Sequence, residues 1–277
     1  VQALKVTFSE KPSETVYLKG FIGTDYTGTA FEEADGESFV QAASLWKLDG
    51  NVSLGVENLP FLRTYYAENV VFTGEGDDAK PELAANAASS AVTLQVENLA
   101  ANPNYTYVPY GAFLNDYYQV LGGDGALAGQ SVQQDIFSCY PRKQLEEVLE
   151  DWNETKQQES TLDQAESAYA AYVQAHCSSL PENLSYLQEK FDLELETKES
   201  ADPKEAEKNW EKIKTAVVSE LAGNYEFVRE PEAVPEVEDF VEWFLKESKE
   251  GNSVHFAAAA TMLLRACGMP ARYVVGY

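Results

Sequence analysis

Between residue 1 and about residue 140 the apolar positions come in short runs. "ALKVTF", "TVYLKGFIG", "NVVFTG" and "AVTLQVENL" are rich in β-branched and aromatic residues and are set apart by Gly, Asp, Asn and Pro. This is the pattern of strands joined by turns. In the last run Val92, Leu94 and Val96 alternate with polar residues, which predicts a strand with one buried face. Many of the 16 tyrosines fall in this half, in "TYYAENV", "NYTYVPYG" and "NDYYQV". A tyrosine ring covers a sheet while its hydroxyl stays wet, so these read as sheet faces rather than a sugar-binding platform. Strands at this spacing predict a β-sandwich over residues 1–139.

From Tyr140 the period becomes helical, and residues 140–277 read as a second, mainly helical domain. Leu145, Val148, Leu149 and Trp152 form one stripe, and Leu162, Ala165, Tyr169, Tyr172 and Val173 a second. A third helix has Asp202 as its cap, Pro203 in its first turn and Glu205 closing a capping box. Its core stripe is Ala206, Trp210, Ile213, Val217 and Leu221, with Gly223 as the stop. A fourth helix is expected from about Pro235, with Val237, Phe240, Val241, Phe244 and Leu245 on one face. The fold class expected is therefore α+β.

Composition narrows the function. Twenty Lys and Arg stand against 46 Asp and Glu, a net charge of −26. Such a surface repels nucleic acid and anionic lipid, which argues against both as partners and against membrane insertion. No run of 18 apolar residues exists, so no segment reads as a transmembrane helix. Cys139, Cys177 and Cys267 are far apart and, with only His176 and His255 beside them, suggest neither a disulfide framework nor a metal site. No cofactor is expected.

The candidate chemistry lies in "GNSVHFAAAATMLLRACGMPARYVVGY", residues 251–277. Ala257 to Ala260 predict a helix lying close to its neighbours, as one packed on a sheet must. Gly268 and Pro270 end it, and "ARYVVGY" reads as a strand. A cysteine at the start of such a helix would have a lowered thiol pKa. The serine found there, Ser253, suits an N-cap contributing roughly 1 kcal/mol. His255 lies about 200° round the helix from position 253, so it is assigned packing or hydrogen bonding. His176 shows no partner in the sequence, and Arg265 is expected to make a structural ion pair.

These residues resemble the core motif of the transglutaminase-like superfamily, whose members share a papain-like fold. The family pattern is G-x-C-x-x-F-A-x-A, then L-x-R, then G-[IV]-P-A-R-Y-V-x-G-Y. Gly251, Phe256, Ala257, Ala259, Arg265, Gly268, Pro270, Ala271, Arg272, Tyr273, Val274, Gly276 and Tyr277 fall in register with it. Upstream, "NYEFVREPEAVPEVEDFVEWFLKESKEG" is similar to the family's approach to the motif. "VYLKGFIGTDYTGTAF" resembles a region of bacterial membrane-anchored members, with Phe31 where a Trp is usual. The departure is central, because the family's nucleophilic Cys aligns with Ser253.

The resemblance implies amide acyl transfer or hydrolysis through a Cys thioester at position 253. It implies a His base and an Asp on later strands, and a protein or peptide substrate. It also implies an extracytoplasmic, cell-surface location with a membrane-anchored parent. The chain itself is expected to be the N-terminal part of such a core, inactive as it stands. Ser253 has three readings: an engineered replacement, a natural Cys-less homologue acting as a binding or scaffold domain, or a serine nucleophile. The non-catalytic domain is the rival function.

Overall fold

The computed structural model describes residues 2–12, 15–33, 70–73, 80–83, 92–105, 107–109, 112–113, 134–139, 170–190, 203–236 and 238–277. The helix expected at 145–152, most of the 162–173 stripe and the Asp202 cap lie outside these residues. In chain order the strands are β1 (Leu4–Phe8), β2 (Leu18–Gly23), β3 (Asp25–Tyr26), β4 (Phe31–Glu32), β5 (Val70–Thr73), β6 (Lys80–Leu83), β7 (Val92–Asn98), β8 (Val108–Pro109), β9 (Ala112–Phe113), β10 (Gln134–Cys139), β11 (Glu226–Phe227), β12 (Glu250–Gly251) and β13 (Tyr273–Gly276). The helices are α1 (Leu187–Lys190), α2 (Pro203–Asn224), α3 (Phe240–Trp243) and α4 (Ser253–Ala266), and α3 runs on as a π turn over Phe244–Ser248. Residues 170–176 are also helical. Two compact units result, one of Val1–Phe21, Asp35–Tyr169 and Val275–Tyr277, the other of Ile22–Ala34 and Ala170–Val274.

In the first unit the period-two pattern does what it predicts. Leu94 and Val96 of β7 pair with Phe8 and Val6 of β1 in antiparallel register and are buried. They share a core with Leu18, Ala101 and Tyr107, so Tyr107 is a packed tyrosine as expected of the tyrosine-rich runs. The sheet order is β1-β7-β10-β9. A second sheet runs β13-β2-β8, and Leu18 and Tyr277 exchange backbone hydrogen bonds of 2.7 and 2.9 Å within it. β3-β4, β5-β6 and β11-β12 are two-stranded. The mixed helix and strand content is as expected; the described strands form only these small sheets and do not by themselves establish the sandwich.

The second unit is built on a helical core of Leu184, Leu187, Ile213, Val217, Leu221, Val241, Phe244, Leu245, Ala258, Ala259, Met262, Leu263 and Cys267. Ile213, Val217 and Leu221 are the expected face of α2, but Trp210 on the same stripe is 54% exposed. It lies a turn before Ile213, where α2 has not yet reached the core. The fourth predicted helix begins later than Pro235. Asp239 caps α3, its carboxylate accepting the N–H groups of Val241 and Glu242.

α4 is a buried helix as its alanines predict, with Ala258 and Ala259 inside. Its described neighbours include α1, α2, α3 and the strand β12, and Tyr26, Phe31 and Tyr273 of β3, β4 and β13 pack on the same core; small side chains admit a close helix as readily as a close strand. Its end is a Schellman motif. Gly268 takes φ +75°, its N–H bonds Arg265 O at 2.9 Å, and Met269 N–H bonds Leu264 O at 3.0 Å. The chain then enters β13, the edge strand of its sheet.

Candidate functional site

The start of α4 is fixed by local backbone causes. Lys249, left-handed at φ 55°, closes the π turn by bonding Phe244 O and turns the chain into β12. β12 pairs in parallel with β11, and Val228 N–H donates to Gly251 O at 2.9 Å. Residue 251 must be glycine, since a Cβ there would stand 2.6 Å from His255 Cβ and 2.8 Å from Phe244 Cε2. Asn252 is extended, and its Oδ1 accepts from Val254 N–H at 3.1 Å. Asn252 is therefore the N-cap of α4, and Ser253 is its first helical residue.

This corrects the capping assignment of Ser253. Asparagine is at least as good a cap as serine, and Asn252 satisfies the first-turn donor that Ser253 was expected to satisfy. The Ser253 side chain is exposed and makes no hydrogen bond among the described residues. It is a hydroxyl free of structural duty, held at the positive end of a 14-residue helix. A thiol at this place would be poised toward thiolate.

Neither histidine serves Ser253. The Nδ1 of His255 lies 3.0 Å from Asn252 Oδ1. That oxygen is already fixed as an acceptor by Val254 N–H, so Nδ1 carries the proton and Nε2 the lone pair. The ring is buried between Phe240 and Phe244, with centroids 4.5 and 5.5 Å away. Nε2 finds no hydrogen-bond partner among the described residues, and burial pushes the pKa down. His255 is thus a neutral packing and hydrogen-bonding residue, as its helical position implies. His176 does have a partner: Nδ1 is 3.2 Å from Asp25 Oδ1, and the ring lies against Tyr172. With 151 positions between them, no local pattern pointed to the pair.

Arg265 is structural, but its expected ion pair is replaced by backbone carbonyls. Nε donates to Ala271 O at 2.8 Å, Nη1 to Ser179 O at 3.1 Å, and Nη2 to Thr24 O at 2.6 Å. A planar fork of donors can join three chain segments at once, which a carboxylate partner would not require. Burial lowers its pKa from the usual arginine range. Tyr273 stacks on Phe31, centroids 4.9 Å apart and planes 7° from parallel, an architectural role as expected. Cys177 and Cys267 are buried free thiols, and burial pushes the Cys267 thiol up. Among the described residues no three His, Cys, Asp or Glu side chains converge as metal ligands.

The sequence missed one network. The Tyr26 hydroxyl donates to Asp239 Oδ1 at 2.9 Å and accepts from Val241 N–H at 3.1 Å. Burial raises the Tyr26 pKa, so the hydroxyl stays protonated and tightens the cap of α3.

Comparison with known proteins agrees with this frame. Residues 196–277 match the Transglutaminase-like superfamily. No curated protein matches the chain. Among solved structures, the chain is similar to the periplasmic domain of TgpA from Pseudomonas aeruginosa, at 15% identity and a TM-score of 0.52, over 99% of this chain and 74% of that one. The same domain bound to ethylmercury gives 15% identity and a TM-score of 0.53, over 99% and 75%. Identity this low establishes likeness of fold. The C-terminal segment, which holds α4 and β13, is transglutaminase-like.

Proposed function

We propose that residue 253 is the acyl-accepting position of a transglutaminase-like core, and that Ser at this position leaves the chain without amide-transfer activity. The observation that carries this is the division of labour at the start of α4. Asn252 caps the helix, and the side chain at 253 is left exposed at the positive helix end. In the reaction this position suits, a Cys thiolate attacks a carboxamide or peptide carbonyl. The S–C bond forms, the C–N bond breaks, and the amine leaves with a proton from an acid. A second amine or water then takes the acyl group from the thioester. First-turn N–H groups of α4 would share in holding the oxyanion.

A serine hydroxyl must lose its proton to a base during attack, which a thiolate does not. The chain's two histidines are both engaged elsewhere, His176 on Asp25 and His255 on Asn252. Neither therefore serves as the base that attack by Ser253 would need. The match to a periplasmic domain supports an extracytoplasmic site of action; a protein or peptide substrate is part of the same proposal.

The test is acylation by p-nitrophenyl acetate, an activated ester that needs no acid for its leaving group. The Ser253→Cys chain should form an acetyl thioester at 253, located by mass spectrometry, with release of one equivalent of p-nitrophenolate. The unaltered chain should form none. Acylation of Ser253 itself would overturn the inactive reading. An introduced thiol at 253 that reacts no faster than glutathione would overturn the nucleophile position. The latter result would favour a second reading, a binding or scaffold domain, for which the unpartnered Ser253 hydroxyl already speaks.

A further inference from the structure

We propose that His255 is a positioning residue for residue 253: its Nδ1–H ties the Asn252 cap to the buried core and so fixes the backbone that carries the side chain at 253. The inference rests on the reading of 253 as the acyl-accepting position and deepens it, with His255 acting through Asn252 and not as a base. Asn252 Oδ1 accepts two hydrogen bonds, from Val254 N–H at 3.1 Å and from His255 Nδ1–H at 3.0 Å. Each bond closes a loop of chain that contains residue 253, so the two together restrict its backbone from both sides of the cap. The bond to Val254 is exposed and fixes only a local turn. The bond to His255 leads inward, since that ring is buried between Phe240 and Phe244 of α3 and its π turn, centroids 4.5 and 5.5 Å away. It is what anchors the exposed turn to the core.

Stability alone does not explain an imidazole here. Its Nε2 is buried with no hydrogen-bond partner among the described residues, and an unmet buried acceptor is destabilising. A phenyl ring would fill the same aromatic slot without that cost. The chain also gives up a side chain at 251 to admit the ring, because a Cβ there would stand 2.6 Å from His255 Cβ and 2.9 Å from its Cγ. What the imidazole adds over a phenyl is its one bond, to Asn252 Oδ1. That bond serves the helix end, whose first-turn N–H groups keep their direction only while the cap holds.

The experiment uses the Ser253→Cys chain with His255→Phe, His255→Leu or His255→Asn added. Alkylation at 253 by chloroacetamide is followed by peptide mass mapping from pH 5 to 10, and urea unfolding is measured at pH 7.5. Asparagine carries its amide nitrogen one bond from Cγ, as histidine carries Nδ1, so it can restore the donor; phenylalanine and leucine cannot. The apolar variants should raise the thiol midpoint by about half a unit, toward the usual value of about 8.5. Alkylation at pH 7 should slow about threefold with it, while the urea midpoint of His255→Phe holds or rises. His255→Asn should keep the low thiol midpoint although its smaller side chain lowers the urea midpoint. A ring with a purely structural role cannot move reactivity and stability in opposite directions. An unchanged thiol midpoint in the apolar variants, or one in His255→Asn as high as theirs, overturns the proposal alone. So does a urea midpoint that falls along with reactivity in His255→Phe, or loss of cooperative unfolding in both apolar variants. A thiol midpoint at or above about 8.5 with His255 intact overturns the acyl-position reading beneath it.

Discussion

Replacing Arg265 by methionine should open the second unit more than any change at the surface. Met keeps most of the buried volume and removes a charge from the interior, a change that is often tolerated when the partner is also a side chain. Here the partners are the backbone carbonyls of Thr24, Ser179 and Ala271, which no substitution removes. Left unpaired, the buried carbonyl of Thr24 and the part-buried carbonyls of Ser179 and Ala271 cost about 1 kcal/mol each on average, about 3 kcal/mol in all. Set against a typical domain stability of about 5–15 kcal/mol, this is a large loss. It can be read locally through the buried thiol of Cys267. Under native conditions that thiol is labelled only when its unit opens, so about 3 kcal/mol should raise its labelling rate by about 100-fold. Arg265→Lys, with one ammonium to share among three carbonyls, should fall between. If Arg265→Met changes Cys267 labelling by less than about fivefold, equivalent to about 1 kcal/mol, the carbonyl clamp is not what holds these segments.

Other predictions are smaller or differ in kind. Asn252→Ala should cost about 1 kcal/mol in urea unfolding through loss of the α4 cap, and no loss would return the capping role to Ser253. Met262→Ala, at a fully buried site, should cost about 2–5 kcal/mol, and a near-neutral result would place α4 outside the core. His255 has a folded pKa below its unfolded value, so the unfolded chain takes up the proton first. Its contribution is intact above the unfolded value of about 6.5 and is lost as pH falls through and below it. The drop in urea midpoint from pH 7.5 to pH 5 should be smaller in His255→Phe than in the unaltered chain. An equal drop in both would mean that His255 does not titrate with folding.

Much of this was legible because its causes are local. The alternation through Val92, Leu94 and Val96 announced β7, and "GNSVHF" followed by four alanines and "CGMP" announced a short-sided helix with a glycine stop. What escaped the sequence depended on partners far along the chain. Asp25 for His176, Thr24 and Ser179 for Arg265, and Tyr26 for Asp239 are brought near only by tertiary packing. Trp210 misled because periodicity gives the direction a side chain faces and says nothing of where the core ends along a helix. Ser253 and Asn252 were misassigned by one position for a subtler reason: both are good caps, and which one takes the extended conformation is settled by the β11-β12 pairing just before them.

The most direct test of the central claim is the pH dependence of alkylation at residue 253 in the Ser253→Cys chain. Rates would be taken with chloroacetamide between pH 5 and 10 and assigned by peptide mass mapping. The first-turn N–H groups and the helix dipole should bring the midpoint about half a unit to one unit below the usual thiol value of about 8.5. Cys267, buried and pushed upward, should stay unreacted over the same range. A midpoint at or above about 8.5 for the thiol introduced at 253 would contradict the assignment of this position to a nucleophile.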